Sequence, residues 1–388
     1  MQAHTNSHGF ESLRRSLTPL LAIAVSGAGG LVFASDTTPT TPEELKSPGI
    51  YQIRAGALYG LTPSVTGLNV TAAIIDTGIM RSHPEFLDRN DPSSSRVLSG
   101  YNAFDLSDNV TDGNGHGTHV SGIVGAARDG FGMFGVAYDA FLLPIKVLND
   151  RGSGTSTSVA NGIQYAVSQR QLYLGTADAK YAPFVINLSL GSSSPSTTIA
   201  NALKSAVNAG MVVAAAAGND GGANPIYPAR YASQNWAKGQ IIAVGAVDAN
   251  NKIASWSNRA GDAQEFYLVA PGVSIYSTYT KYNRKLKKYD ATYATLSGTS
   301  MATPYVTGAV TLIKSGWSWL TAPQITSILF ISATDLGVPR VDAIYGRGLL
   351  NLEAALAPIG ALSAPTSSGT TVAVSGTSLT GAGATSTA

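Results

Sequence analysis

The stretch AAIIDTGI at residues 72–79 places an acidic residue directly after a run of apolar residues. Asp76 could belong to a pair of carboxylates that share a proton, orient the base of a serine triad, or close a turn after a strand. A carboxylate pair needs a second Asp-Thr-Gly or Asp-Ser-Gly loop, and this is the only such sequence in the chain. The sequence therefore disfavours the carboxylate pair.

Two further stretches hold the other residue types that a hydroxyl nucleophile needs. GHGTHVSGIVGAA begins at Gly115, and LSGTSMATPYVTGAVTLI begins at Leu296. Attack by a serine hydroxyl requires a base to take its proton and an acid to hold the tautomer of that base. Asp76, His116 and Ser300 supply these types in the chain order acid, base, nucleophile, which is one of the known triad orders.

These blocks resemble the signature blocks of the subtilisin-like serine proteases, the subtilases. The match covers about residues 50–358, and HGTHVSG and GTSMATP are long, nearly complete motifs. The resemblance implies Asp76 as the orienting acid, His116 as the general base and Ser300 as the nucleophile of an endopeptidase that forms an acyl-enzyme. It also implies protein or peptide substrates and a doubly wound fold around a parallel sheet.

The stretch VVAAAAGND at 212–220 resembles the family block in which an Asn after Gly supplies an oxyanion donor. That residue is Asn219, acting with the backbone N–H of Ser300. The alternative for Asn219 is a turn residue before Asp-Gly-Gly. Ser300 also precedes Pro304, which is tolerated only in the first turn of a helix, so we expect a helix to begin near Ser300 and to direct its positive end at the oxyanion.

Two edges that bind substrate follow from the same resemblance. One edge would pair with an extended peptide through Ser189, Leu190 and Gly191, and the opposite edge would do so through Gly152, Ser153 and Gly154. Binding by strand addition contacts mostly backbone and so tolerates many side chains. The wall of the first specificity pocket would consist of the small, uncharged residues 214–217 and Gly191, which predicts a preference for substrates with a large apolar side chain there. Asp220 at the rim of this pocket would be the residue that admits a basic side chain.

Calcium is the only metal for which the sequence offers candidate ligands. Some relatives wrap a calcium ion with the loop that corresponds to ARDGFGMFG at 127–135, where Asp129 would be a ligand together with Glu85. Carboxylate and carbonyl oxygens are the ligands that calcium prefers. The alternatives are a surface turn for Asp129 and a helix-capping acid for Glu85. The chemistry itself requires no cofactor.

The elements that must position these residues follow from short apolar runs that alternate with helical patterns. The runs that predict strands cover residues 70–76, 140–148, 184–190, 211–217 and 240–247. The predicted helices cover residues 116–127, 155–170, 196–209, 300–314 and 323–332. Continuous apolar strands separated by helices indicate an α/β fold, doubly wound, with a mostly parallel central sheet and helices on both faces.

The composition divides the chain into four segments. Residues 1–34 have the order of a secretory signal peptide, with Arg14 and Arg15 before an apolar stretch and with Val32 and Ala34 at the −3 and −1 positions of a cleavage site. Residues 35–49 are polar and Pro-rich, as in a linker. Residues 50–358 form the catalytic domain, and residues 359–388 form a flexible tail rich in Ser, Thr, Gly and Ala.

The charge of the chain argues against nucleic acid as a partner. The formal net charge is only +2, and the densest basic run, KLKK at 285–288, is interpreted as a solvated loop. No cysteine is present, which excludes disulfides and cysteine metal sites. We expect a monomer that is secreted, or held at the cell surface of a bacterium.

The end of the domain, AIYGRGLLNLEAALAPIG, resembles the exit from the protease module in subtilase passengers of bacterial autotransporters. Those proteins continue into an outer-membrane barrel, a partner module that has no counterpart in this sequence, since no alternating strands for it are present.

Two other function classes are weighed against the endopeptidase. A pseudoprotease or adhesin passenger would keep the fold for binding, but Asp76, His116, Ser300 and Asn219 are all intact. An esterase would need a Gly-x-Ser-x-Gly elbow and the chain order Ser, Asp, His, and the order here is different.

Overall fold

The computed structural model describes residues 38–356, 362–365 and 371–374. The predicted signal peptide lies outside the described residues. Within the described ranges, no helix combines the length and the apolar character needed to cross a membrane.

Thirteen strands and eight α-helices are found in these ranges. The strands are β1 Thr71–Asp76, β2 Leu87–Asp88, β3 Asp91–Ser95, β4 Tyr101–Asn102, β5 Phe141–Lys146, β6 Pro183–Leu188, β7 Val212–Ala216, β8 Ile241–Val247, β9 Tyr267–Pro271, β10 Ile275–Asn283, β11 Lys288–Leu296, β12 Leu362–Pro365 and β13 Thr371–Val374. The helices are α1 Pro42–Leu45, α2 Pro48–Gln52, α3 Gly56–Tyr59, α4 His116–Gly125, α5 Ser156–Tyr173, α6 Thr197–Asn208, α7 Thr299–Gly316 and α8 Ala322–Ser332. Short 3₁₀ turns cover Pro84–Phe86, Ala179–Tyr181, Ala229–Ser233, Asn235–Ala237, Gly261–Phe266 and Ala354–Leu356.

Seven parallel strands form the central sheet, in the order β4-β5-β1-β6-β7-β8-β9. The strands β1, β6, β7 and β8 are buried along their whole length. Continuous apolar strands are expected when helices cover both faces of a parallel sheet, because neither face meets water. The predicted α/β class is confirmed, and the five predicted strands and five predicted helices all form, with ends shifted by at most three residues.

Alternate residues of each strand serve the two faces of the sheet. Ala73 and Ile75 of β1 join one apolar cluster with Ile163 of α5 and Leu203 of α6. The intervening residues of the strand point to the other face, where α7 packs across β6, β7, β8 and β9. The carboxyl ends of the strands are left to the loops, which is where sites form in this class of sheet.

The described part of the predicted linker differs from the expectation, because residues 42–52 fold into α1 and α2. Thr41 and Glu44 form a reciprocal capping box, and Pro42 and Pro48 occupy first-turn positions in which a missing N–H costs nothing. Glu44 forms an ion pair with Arg128 at 2.6 Å. The prolines and polar residues that suggested a linker are thus helix starts.

Besides the short antiparallel pair of β2 with β3, two antiparallel hairpins were not predicted. In the first, β10 pairs with β11, and KLKK lies at and beside its turn. Its strands are rich in Tyr and Thr and only half-buried, so they lack the continuous apolar run by which the other strands were found. In the second, β12 pairs with β13 inside the segment predicted to be a flexible tail.

We predict that Gly49→Ala destabilises the protein, since a methyl group at Gly49 would lie 2.1 Å from the Tyr305 hydroxyl oxygen. Overpacking of this kind costs about 1–3 kcal/mol, whereas the helix propensity of Ala would favour the variant by up to about 1 kcal/mol. The free energy of unfolding, measured with urea, gives the net effect of the substitution. In a Tyr305→Leu background the cost should shrink, and a stabilising effect of Gly49→Ala in the wild-type background would show that α2 does not pack on α7.

Candidate active site

Asp76 is the last residue of β1 and is fully buried. Its Oδ1 accepts hydrogen bonds from the backbone N–H of Thr77 at 2.7 Å and from His116 Nδ1 at 2.7 Å. On the neighbouring strand, Lys146 lies beside Asp76 in the register and donates from Nζ to the carbonyl of Thr77 at 2.6 Å. The carboxylate is therefore held through Oδ1 at the carboxyl end of the sheet.

Asp112 is a buried carboxylate that was not predicted from the sequence. It joins the turn after β1 to the start of α4. Its oxygens accept from the turn after β1 and from the start of α4, namely from Thr77 Oγ1, Asn114 N, Gly115 N, Thr118 N and Thr118 Oγ1, at 2.7–3.0 Å. Its position four residues before His116, ahead of a helix start, is the signal that could have revealed it. Asp112 thus connects the turn that follows Asp76 with the helix that begins at His116.

The glycines beside His116 permit this close packing. A Cβ on Gly117 would lie 2.2 Å from the carbonyl oxygen of Gly78, so the helix start and the turn after β1 touch through backbone atoms. Gly115 has a φ of 99°, which other residues adopt only with strain. The HGTH motif thus allows two backbone segments to meet where the imidazole and the carboxylate must bond.

The hairpin of β10 and β11 braces the same helix. Tyr279 donates from its hydroxyl to the carbonyl of Asn114 at 2.9 Å, and Thr278 donates to the carbonyl of Thr118 at 2.7 Å. His119 lies 3.1 Å from two hairpin carbonyls through Nε2, and burial lowers its pKa to about 4. His119 is therefore a neutral, structural histidine.

The electrostatic environment of His116 favours its protonated form. Burial by itself lowers the pKa of this imidazole, but the charge and hydrogen bond of Asp76, together with the charge of Asp112, outweigh it and raise the pKa above its ordinary value of 6.5. A carboxylate can only accept, so the proton shared with Asp76 sits on Nδ1. This leaves Nε2 as the basic nitrogen.

Ser300 is the second residue of α7. Its Oγ donates to the carbonyl of Ser189 at 3.2 Å, and Ser189 Oγ donates back to the carbonyl of Ser300 at 2.8 Å. Pro304 lies in the second turn of α7 rather than the first, a correction to the expectation. Because Pro304 has no N–H to offer the Ser300 carbonyl, Ser189 supplies the missing donor.

Asn219 follows β7 and approaches the same helix. Its Oδ1 accepts from the N–H and the hydroxyl of Thr299 at 2.9 and 3.0 Å, which fixes Nδ2 as the opposite end of the amide. A Cβ placed on Gly298 would lie 3.6 Å from both Asn219 Nδ2 and Ser300 N. Asn219 Nδ2 and Ser300 N therefore lie close to the same point beside Gly298.

A cleft of about 570 Å³ lies beside His116. Both predicted substrate edges line it, Gly152, Ser153 and Gly154 on one side and Ser189, Leu190 and Gly191 on the other. Apolar side chains and two tyrosines also line it, namely Leu148, Val159, Ile199, Tyr227 and Tyr231. The structure thus joins the two edges to the imidazole in one groove, with Ser300 reached through Ser189.

The two predicted calcium ligands, Glu85 and Asp129, each accept hydrogen bonds from the protein. Glu85 is buried and accepts from the Tyr293 hydroxyl at 2.5 Å and from Met133 N at 3.2 Å, whereas Asp129 is exposed and accepts from Phe131 N. No group of three or more His, Asp or Glu in the described part of the chain is arranged to hold a metal ion. One amide N–H donates to each carboxylate, whereas Glu85 Oε2 is buried without a hydrogen-bond partner in the described part of the chain. Joint binding of calcium by Glu85 and Asp129 therefore stays a prediction.

The fold and the site together are those of an α/β serine hydrolase of the Asp-His-Ser type. Comparison with known families agrees: the profile of the subtilase family, peptidase S8, matches residues 67–348. The chain belongs to the subtilase family and is a serine endopeptidase.

The relatives extend the match over most of the chain. Subtilisin DY from Bacillus licheniformis is 42% identical over 294 residues, which is 74% of this chain and 91% of the relative. Subtilisin Savinase from Lederbergia lenta is 39% identical over 308 residues, 79% of this chain and 97% of the relative. An alkaline protease from Alkalihalobacillus alcalophilus is 38% identical over 321 residues, 82% of this chain and 72% of the relative.

We predict that Asp76→Asn lowers the pKa of His116, because it removes the negative charge that opposes the effect of burial. Titration of the imidazole by NMR, in a Ser300→Ala background that prevents self-digestion, measures the change. His119, whose pKa is already low, should not respond. An unchanged His116 pKa would show that its hydrogen bond to Asp76 is not formed in solution.

Proposed function

We propose that the chain is an exported endopeptidase in which Ser300 is the nucleophile, His116 the general base, Asp76 the orienting acid and Asn219 an oxyanion donor. The observation that carries this proposal is the 2.7 Å contact between His116 Nδ1 and Asp76 Oδ1. It fixes the tautomer whose Nε2 can accept a proton.

The chemistry is acyl transfer in two halves. Ser300 Oγ attacks the scissile carbonyl while His116 Nε2 takes the hydroxyl proton, which then passes to the leaving amine. Asn219 Nδ2 and Ser300 N donate to the oxyanion of each tetrahedral intermediate. Water, deprotonated by His116, releases the acyl group and returns Ser300 to its starting form. The groups that act on the scissile peptide in these steps are Ser300, His116, Asn219 and a water molecule.

Substrate binding would also free the nucleophile. In the structure the Ser300 hydroxyl donates to the carbonyl of Ser189, one of the two predicted substrate edges. An N–H of an extended peptide that pairs with this edge competes for the same carbonyl. The hydroxyl is then available to His116, so docking of the backbone and activation of the nucleophile are coupled.

The substrates we propose are proteins or peptides bound as an added strand between the two edges, by a monomeric enzyme. Apolar side chains in the cleft and small residues near Gly191 support large apolar side chains in the specificity pockets. A peptide library in which cleavage is governed by acidic residues at the first pocket would contradict this preference.

Export is proposed from the sequence of residues 1–34. It predicts cleavage after Ala34, which mass spectrometry of the mature N-terminus in the culture medium would test. A protein that is retained in the cell with its N-terminus intact would contradict it.

Ser300→Ala should lower kcat by about a millionfold, the loss known for removal of the nucleophile of a subtilisin. Hydrolysis of an extended apolar peptide measures it. His116→Ala should cause a similar loss, and the double variant should lose little more, because the two residues act as one unit.

A fluorophosphonate probe supplies an independent readout of the nucleophile. It should label the wild-type protein at Ser300 and leave Ser300→Ala unlabelled. Absence of labelling in a folded wild-type sample would favour the alternative of a binding protein that has kept the fold.

A further inference from the structure

Asn258 lies between β8 and β9, outside every stretch that the sequence patterns singled out. Its side chain is only 3% exposed. A buried carboxamide must find partners for its oxygen and its nitrogen, or it destabilises the fold. The partners that it finds are all in the loop that carries Asn219.

The carboxamide spans this loop. Its Oδ1 accepts from the backbone N–H of Asp220 at 2.9 Å and of Gly222 at 3.2 Å. Its Nδ2 donates to the carbonyl of Asn224 at 3.0 Å. The backbone N–H of Asn258 donates to the carbonyl of Gly218 at 2.9 Å. Asn219 is therefore flanked on both sides by residues bonded to Asn258.

The loop packs directly on the amide. A Cβ on Gly218 would lie 3.0 Å from Asn258 Nδ2, and one on Gly222 would lie 3.1 Å from it. Gly218 also has a φ of 110°, so its conformation and its packing both require glycine. These contacts leave little room for the loop to move toward or away from Asn258.

Asn258 is itself held by the sheet. The hydroxyl of Tyr267, a fully buried residue of β9, donates to the Asn258 carbonyl at 2.6 Å. The neighbouring Ser257 accepts from the N–H of Ala246 in β8 at 3.0 Å. A continuous set of hydrogen bonds thus runs from β8 and β9 through Asn258 to the loop.

We propose that Asn258 is a positioning residue for the oxyanion site. Its Oδ1 holds the backbone on the far side of Asn219, while Thr299 holds the Asn219 amide oxygen, and together they aim Nδ2 at the developing charge. This inference rests on the proposed oxyanion role of Asn219. It places the effect of Asn258 in the transition state, because in that proposal Asn219 donates to the oxyanion of the tetrahedral intermediate.

Asn258→Ala in the wild-type and in the Asn219→Ala background tests the proposal, together with Asn219→Ala alone and Asn258→Asp. Asn219→Ala alone should lower kcat by about 100- to 1000-fold, the loss known for a subtilisin. Asn258→Ala should lower kcat by about 10- to 100-fold with KM changed less than about twofold, since it removes part of the same stabilisation. In the Asn219→Ala background it should lower kcat by less than about twofold.

Asn258→Asp separates positioning from folding. It keeps an oxygen for the N–H groups of Asp220 and Gly222 but loses the donor to Asn224, so we expect a lower Tm and a kcat within about threefold of wild type. Gln240→Ala is the matched control, because Gln240 is a buried amide that bonds to the carbonyls of Val207 and Met211, away from the loop. It should lower Tm and leave kcat unchanged.

The kcat values of these variants distinguish a failure of the positioning role from a failure of the proposed function. Equal losses of kcat from Asn258→Ala in both backgrounds, or no loss in either, would overturn the positioning role. Should Asn219→Ala leave kcat unchanged, the oxyanion assignment fails and the inference falls with it. Asn258→Ser, which keeps a small acceptor, replaces the alanine variant if that variant does not fold.

Discussion

The hydrogen bond between His116 Nδ1 and Asp76 Oδ1 is the interaction on which the site depends. It joins two segments 40 residues apart, and it requires a buried carboxylate to stay close to a helix start. Asp112 satisfies this requirement by accepting hydrogen bonds from both segments on its two oxygens. Gly78 and Gly117 let the backbones meet, and Tyr279 braces the turn from outside. Residues from several distant segments therefore support the 2.7 Å contact between His116 and Asp76.

A second constraint concerns the helix that carries the nucleophile. Pro304 removes a hydrogen bond inside α7, and the carbonyl of Ser300 is left for Ser189 to satisfy. The Ser300 carbonyl, which lacks its helical donor, therefore bonds to Ser189 at the strand edge where we expect the substrate to pair. On the other side, Thr299 fixes the amide of Asn219. The start of α7 is held by polar contacts to Ser189, which directly follows β6, and to Asn219 in the loop after β7.

The central sheet was predictable because its strands are buried on both faces and so show unbroken apolar runs. The hairpin of β10 and β11 was not, since its half-buried Tyr and Thr residues have no such run. The helices α1 and α2 were not predicted for a different reason. Proline and polar residues occur both in linkers and at helix starts, and only the packing of Glu44 on Arg128 and of Gly49 on Tyr305 distinguishes the two.

The sequence by itself determined the fold class and the family. It also predicted Asp76, His116, Ser300 and Asn219 as site residues, because each lies in a local motif whose residue types indicate the chemistry. The tertiary structure decided what supports them. Asp112, Asn258 and Tyr279 act through partners that are remote in sequence or through backbone groups, which no local pattern encodes. It also decided which groups lie beside Glu85 and Asp129, namely one amide N–H for each carboxylate, because the partners of a carboxylate depend on what the fold places next to it.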